Sequence, residues 1–345
     1  MERIPLLFHQ ENKKIDFDRI VKTLLEKEYG DLPRREKKTE TKFLPIAKKD
    51  VRFCAGKASL QTAVITSEFE TGTVSFPVRI CAPQDGKKHP FFVCPDFYDS
   101  LPSRYLPAEE LIDSGWGLVQ LFYEDVTSDE NFDAPGQNAA EVILKDSRPE
   151  TRCGKLRIWA WAVSRALDAL QQVPEYSGKA VAAGHSRLGK TALLAAALDD
   201  RFSGAVSNDS GCAGAALFRG KTDASEDIEK ITRRFPYWFI PSFSAFAGRE
   251  NELIFDQHFL LAAAAKKKKI LVNSAFGDEW AAPAAEYAAV CAAAREMDPD
   301  FPDLPFPDQP ARIFGSVFGY SVRNGLHSFA REDWHAALEF FRDLL

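Results

Sequence analysis

Ala180-Val-Ala-Ala-Gly-His-Ser-Arg-Leu-Gly-Lys-Thr191 reads as a buried strand, a tight glycine-flanked turn and the start of a helix. The turn has two competing chemical readings. In one, a nucleophile elbow, Ser186 sits on a strained strand-to-helix turn with its hydroxyl exposed above the sheet. The usual spacing is G-x-S-x-G, and here the second glycine falls one position late, at Gly189. In the other, Gly184 to Thr191 matches the phosphate-loop pattern G-x-x-x-x-G-K-[ST] letter for letter. A phosphate loop must wrap its backbone amides around the anion, and bulky His185, Arg187 and Leu188 suit that poorly. The elbow is the stronger reading.

Outward from this turn the same grammar repeats. HPFFVCPDF (89–97), WGLVQLFYEDV (116–126), GAVSNDS (204–210) and KKILVNSAFGD (268–278) are short apolar runs that end in polar or small residues. Helical stretches separate them: 158–173, the segment after Gly189, 256–267 and 283–297. Continuous apolar strands alternating with helices predict a three-layer α/β sandwich with a mainly parallel central sheet. Functional groups in such sheets collect at the carboxyl ends of strands. Before residue 89 the runs VRFC, TAVITSEFE and VSFPVRICAP predict antiparallel strands at one sheet edge. Residues 1–48 read as an extension with one amphipathic helix, Phe17 to Glu28, followed by a solvated KKTETK linker at 37–42. Residues 49–345 then form a single catalytic domain.

The 345 residues carry a formal charge of −6, with 27% charged and 45% apolar residues. That balance excludes a disordered chain, and mild acidity argues against a nucleic-acid partner, which would need a basic face. No apolar run reaches the ~18–20 residues of a membrane span. The N-terminus shows no signal-peptide pattern, so a cytoplasmic location is expected. Six cysteines without a CxxC pair exclude a zinc or disulfide scaffold and predict mostly buried, reduced thiols.

An elbow requires an acid and a histidine later in the chain, each on a loop after a later strand. The strand at 268–276 ends in Gly277-Asp278-Glu279-Trp280, and Asp209 ends the strand before it. The last strand, RIFGSVFGY, precedes a loop bearing His327. Ser186, Asp278 or Asp209, and His327 therefore stand in the required order. His9, His89, His258 and His335 fall on helices or strand edges and read as surface or core residues.

GHSRLGK, followed by SNDSGCAGAALFR, FPYWF, DQHFLLAAAA, SAFGDEWAAP and GYSVRNGLHSFAREDW, resembles the glucuronoyl esterases, carbohydrate esterase family 15, in their bacterial branch. The similarity runs from about residue 114 to the C-terminus, and Ser-Arg-x-Gly-Lys in place of the usual elbow is its distinctive motif. The resemblance implies an α/β-hydrolase fold and hydrolysis of esters of (4-O-methyl-)glucuronic acid. It implies Ser186 as nucleophile, His327 as general base and Arg187 as an oxyanion-holding group. Lys190, Glu226, Trp238, Arg219 and Trp280 become substrate-binding residues. The acid is Asp278 or Asp209. We favour Asp278, which follows the strand before the histidine loop. Some positions depart from the family. The oxyanion-region strand ends in Cys94-Pro-Asp-Phe-Tyr-Asp99 instead of NFxGN, and Tyr237 and Ser321 stand where histidine is common.

The implied chemistry is acyl transfer through an acyl-enzyme, with no metal or organic cofactor. The expected partner is a small uronate ester or an aldouronic oligosaccharide, since an intracellular enzyme would not meet lignin. A general carboxylesterase or acetyl esterase on the same fold is the main rival. A phosphate-loop nucleotide binder and an inactive uronate-binding pseudoenzyme are the others.

Overall fold

The computed structural model describes residues 4–45 and 52–345. The expected boundary between residues 48 and 49 lies outside the described residues. Ten strands form one sheet among them: β1 Lys38–Phe43, β2 Ala58–Phe69, β3 Gly72–Pro83, β4 His89–Asp96, β5 Gly117–Phe122, β6 Tyr176–His185, β7 Gly204–Asn208, β8 Lys269–Ala275, β9 Ala311–Phe314 and β10 Phe318–Arg323. Helices α1 Phe17–Leu24, α2 Ala108–Asp113, α3 Tyr123–Val126, α4 Asn138–Ile143, α5 Lys155–Leu170, α6 Arg187–Leu198, α7 Ile228–Arg234, α8 His258–Ala264, α9 Pro283–Met297 and α10 Arg331–Phe340 connect and cover them.

The sheet order is β1-β2-β3-β5-β4-β6-β7-β8-β10-β9. β5, β4, β6, β7, β8 and β10 pair in parallel, while β1, β2 and β3 at one edge and β9 at the other pair antiparallel. This is the expected α/β sandwich. Every residue of β4 and β7 is buried, which is why these strands read as unbroken apolar runs and not as alternation. The two faces are sealed by separate apolar clusters. One centres on α5, α6 and α8; the other packs α2 and α10 around Phe92, Trp116 and Trp334. All six cysteines are free and buried. No helix among the described residues is long and apolar enough to cross a membrane.

Three local expectations are corrected. The KKTETK segment is strand β1, paired with β2 from Lys38↔Glu68 to Phe43↔Ala63. Its exposed Lys38, Glu40 and Lys42 suit an outer strand that must not recruit another chain, so charge alone did not reveal it. Of the expected strand VRFC, Val51 lies outside the described residues and the rest is no strand: Phe53–Gly56 is a 3₁₀ turn with Cys54 and Ala55 at positive φ. RIFGSVFGY is two strands, because Gly315 and Ser316 turn the chain and both β9 and β10 pair with each other.

The N-terminal segment is built into the body of the protein. α1 continues into a π-helical turn, Leu25–Tyr29, that buries Glu28 and Tyr29 completely. The Tyr29 hydroxyl donates to the Ala213 carbonyl at 3.1 Å, and the Ile240 amide donates to the Glu28 carbonyl at 2.9 Å. Gln257 Nε2 donates to both Glu28 carboxyl oxygens at 2.9 Å, yet burial pushes this carboxyl up to about 8. An unfolded glutamate releases its proton near pH 4.5. The native chain therefore keeps a proton that the unfolded chain has lost, and the contribution of Glu28 to stability is complete below pH 4.5 and falls away as pH rises through about 8. Glu28→Gln cannot ionise. Relative to wild type it should gain stability between pH 5 and 8.5, on the order of 3 kcal/mol. Urea unfolding at both pH values checks this, and a difference that does not move with pH refutes it.

Candidate active site

Ser186 ends β6 and opens α6 with φ 56° and ψ −126°, a strained conformation for a residue with a side chain. Its amide donates to the Asn208 carbonyl at 2.8 Å, and its carbonyl accepts from the amides of Gly189 and Lys190. The late second glycine has a steric cause. A Cβ on Gly184 would lie 2.1 Å from the Leu188 carbonyl oxygen, and one on Gly189 would press on Ser210 at 3.1 Å. The helix thus rests directly on β6 and β7 at these two positions. The turn is consequently closed where a phosphate loop must be open. Lys190 is 3% exposed, and its ammonium donates to the carbonyls of Ser210 and Cys212, the latter at 2.5 Å. These features leave no cradle for a nucleotide phosphate, so the turn does not fit a phosphate loop.

The loops after β8 and β10 are laced together. The Phe276 amide donates to the Arg323 carbonyl and the Gly277 amide to the Gly325 carbonyl, each at 3.0 Å. A Cβ on Gly277 would sit 2.6 Å from that Gly325 oxygen, so glycine permits the close approach. The consequence is that Asp278 Oδ2 lies 2.5 Å from His327 Nδ1, while Asp278 Oδ1 accepts from the Ala281 amide at 3.2 Å. Asp278 is buried and His327 exposed.

Asp209 comes close without taking the same place. Donor atoms of Asp209, Asp278 and His327 lie within 4.8 Å of one another, a set that could hold a metal ion. Asp209 Oδ2 instead accepts from the Ser328 amide at 3.3 Å, from Asn208 Nδ2 at 3.1 Å and from Arg323 Nη2 at 3.4 Å. Its other oxygen is buried without a partner. Burial first, and then the nearby Glu286, Asp333 and Asp278 carboxylates, push its carboxyl well above the usual range. Arg323 bridges this cluster to Asp333 at 2.8 Å.

A cavity of about 230 Å³ opens above Ser186, lined by Arg187, Lys190, Asp209, Glu226, Arg234, Phe235, Trp238, Trp280 and His327 among others. Lys190 Nζ stands 3.6 Å from Glu226 Oε2, and both side chains are almost fully buried. The Glu226 amide donates to the Trp280 carbonyl at 3.0 Å, tying the segment before α7 to the loop after β8. Trp280 is 40% exposed, at the mouth. The Trp238 indole stacks on Phe235, ring centres 3.8 Å apart, and the Arg187 guanidinium lies 4.9 Å from the Trp238 ring centre.

Arg219 does not belong to this group. It is 6% exposed, and its guanidinium is committed to Asp256 Oδ2 at 2.8 Å and to the carbonyls of Phe255 and Leu253. It fastens the segment before α8 and does not line the cavity.

Several residues around the site had no signal in the sequence. His185 is buried beneath the histidine of the loop, ring centres 4.4 Å apart, with Nδ1 2.9 Å from Asn208 Nδ2. Burial, with His327 beside it, holds its pKa well below the ordinary value, so it stays neutral. Glu286 of α9 accepts from the Gly211 amide at 2.8 Å and from Ser274 Oγ at 2.5 Å, and burial pushes its carboxyl up to about 7. Asp129, from the long loop after α3, accepts from both Arg187 and Trp238. Asp96, at the end of β4, accepts from the amide of its neighbour Phe97 and, from the adjacent β5, from Gln120 Nε2.

Comparisons with known proteins agree on one family. A family model described as "Glucuronyl esterase, fungi" matches residues 65–297. The carbohydrate esterase MZ0003, from an unknown prokaryotic organism, is 35% identical over 237 residues, which is 67% of this chain and 54% of that protein. A 4-O-methyl-glucuronoyl methylesterase of Podospora anserina is 25% identical over 312 residues, 85% of this chain and 59% of the relative. The chain thus spans little more than half the length of these curated relatives. In fold it is similar to a glucuronoyl esterase from Solibacter usitatus, with a TM-score of 0.86 at 24% identity, covering 99% of this chain and 98% of that one.

Proposed function

This chain belongs to the glucuronoyl esterase family, and from that premise we propose that it is a serine esterase that hydrolyses esters of glucuronic acid. The observation that carries the reading is the meeting of Ser186, His327 and the buried Lys190–Glu226 pair around one cavity. His327 takes the proton as Ser186 Oγ attacks the ester carbonyl. The resulting oxyanion is held by the Arg187 amide at the start of α6, by that residue's guanidinium and by the helix N-terminus. His327 then protonates the departing alcohol, leaving glucuronate esterified to Ser186. Water repeats the sequence in reverse and frees the acid. Asp278, 2.5 Å from His327 Nδ1, holds the imidazole tautomer and stabilises the imidazolium. Asp209, bonded to Arg323 and the Ser328 amide, holds the histidine loop from behind.

On the sugar side, Lys190 offers a donor and Glu226 an acceptor to neighbouring hydroxyls, with Trp238 in the wall beside them. The substrates proposed are small glucuronate esters and aldouronic oligosaccharides carrying one. A general carboxylesterase would require an apolar pocket, whereas this one presents Arg187, Lys190, Glu226 and Arg234.

Glu226→Gln separates the two readings, because it keeps the shape and spares the Lys190 bonds to Ser210 and Cys212. A hydrogen bond to a charged group contributes about 1.5–3 kcal/mol. Accordingly kcat/KM for methyl glucuronate should fall roughly 10- to 100-fold, while any slow hydrolysis of p-nitrophenyl acetate stays within about twofold. Equal losses on both substrates would assign Glu226 to the scaffold and not to the sugar.

A further inference from the structure

The loop between α3 and α4 is fastened from several sides. Trp159 Nε1 donates to the Thr127 carbonyl, and Gln137 Nε2 donates to Ser128 Oγ at 2.7 Å and to the Asn131 carbonyl at 3.0 Å. Lys155 is fully buried and makes no ion pair among the described residues. Its ammonium donates to the carbonyl of Ser128 at 2.7 Å and to that of Glu130, on either side of Asp129. The rings of Phe132 and Tyr237 flank it at 5.1 and 5.0 Å. Burying a lone cation is costly, so carbonyls and ring faces substitute for water here, and the loop is thereby fixed.

What the loop presents is one carboxylate. The Asp129 side chain is 7% exposed. Its Oδ2 accepts from Arg187 Nη1, its Oδ1 accepts from Trp238 Nε1 at 2.7 Å, and its backbone carbonyl accepts from the Tyr237 hydroxyl at 2.7 Å. Arg187 and Trp238 both line the cavity over Ser186. The aromatic faces of Phe97, Phe235 and Trp238 lie 5.6, 5.2 and 4.9 Å from the guanidinium. Such faces attract it without fixing its rotation in their plane, and a charge-assisted hydrogen bond supplies that direction.

We propose that Asp129 is a positioning residue for ester hydrolysis, aiming the Arg187 guanidinium at the developing oxyanion and fixing Trp238 in the cavity wall that meets the sugar. The proposal rests on the esterase reading given above. It makes the two cavity walls a single unit: one carboxylate sets both the transition-state charge and the sugar platform. Asparagine has one acceptor oxygen and an amide donor, so it can serve one of these partners but not both.

A kinetic cycle on the full chain tests this with methyl glucuronate. The variants are Asp129→Asn, Arg187→Ala and the double substitution. Losing an oxyanion donor outright costs about 10²–10³ in kcat, so misaiming one should cost roughly 10- to 100-fold. In the Arg187→Ala background, Asp129→Asn should change kcat by less than about twofold, because nothing remains to aim. The rise in KM caused by the loosened Trp238 should persist in that background. A merely structural carboxylate would lower kcat by the same factor in both backgrounds, and that result overturns the proposal, as does an Asp129→Asn kcat equal to wild type. Asp129→Glu keeps both acceptors on a longer arm and must show the same dependence on Arg187, so it decides the question if the asparagine variant fails to fold. A wild type inert toward methyl glucuronate would refute the esterase reading itself. An active wild type with independent losses would refute only the role of Asp129.

Discussion

Ser186→Ala should abolish turnover of methyl glucuronate, with a loss on the order of 10⁶ in kcat, while far-UV circular dichroism and Tm remain those of the wild type. The side chain lines the cavity, and the turn is held by backbone bonds from Ser186 to Asn208, Gly189 and Lys190. Alanine keeps all of them. It meets the same backbone strain at φ 56°, so no new cost arises in the folded state. Only the nucleophile is lost. Retention of more than a tenth of wild-type turnover would mean that the ester is attacked from elsewhere, and the elbow would then be a structural turn.

Asp278→Asn should cost about 10⁴ in kcat, and Asp209→Asn less than about tenfold. The asymmetry follows from what each carboxylate touches. Asp278 Oδ2 is 2.5 Å from His327 Nδ1. An amide there presents a donor or a weaker acceptor, and the imidazole adopts the wrong tautomer for accepting the Ser186 proton. Asp209 directs its bonded oxygen to Arg323, Asn208 and the Ser328 amide. Its carboxyl is held toward the protonated form by burial, so replacing it by a neutral amide changes little charge in the site. Steady-state kinetics of both variants on methyl glucuronate give the ranking directly. The reverse ranking would move the acid to the end of β7, and small losses at both positions would remove it from both.

The same pair shows where sequence reading stops. Both aspartates end parallel strands ahead of the histidine loop, and chain order alone left each a candidate. The choice depends on the backbone bonds of Phe276 and Gly277 to Arg323 and Gly325, which join loops nearly fifty residues apart. Arg219 illustrates the opposite case: a plausible position beside the β7 loop became a structural ion pair with Asp256. Strand β1 is a third. Its alternating lysine, threonine and glutamate pattern carries no apolar stripe, so only pairing with β2 identifies it.

Much of the architecture was nonetheless written locally. Apolar runs ending in polar residues specify buried parallel strands, since a strand covered on both faces has no polar side. A serine between Gly184 and Gly189 specifies the sharp turn, because those are the positions where a Cβ would strike Leu188 or press on Ser210. The Gly184–Leu188 constraint acts over a few residues, whereas the one at Gly189 depends on β7 lying alongside. The partners of Arg187, the neutral His185 and the carboxyl of Glu286 are of another kind. Each depends on long-range contacts and on removal from water, and burial changes the proton affinity of a group only once the whole fold has closed around it. Local chemistry thus determined the strand–turn–helix frame and the order of serine, acid and histidine. Tertiary structure alone chose which carboxylate faces the imidazole and which one bonds the arginine, because hydrogen bonds at ~3 Å are set by where distant loops meet and not by the residues that compose them.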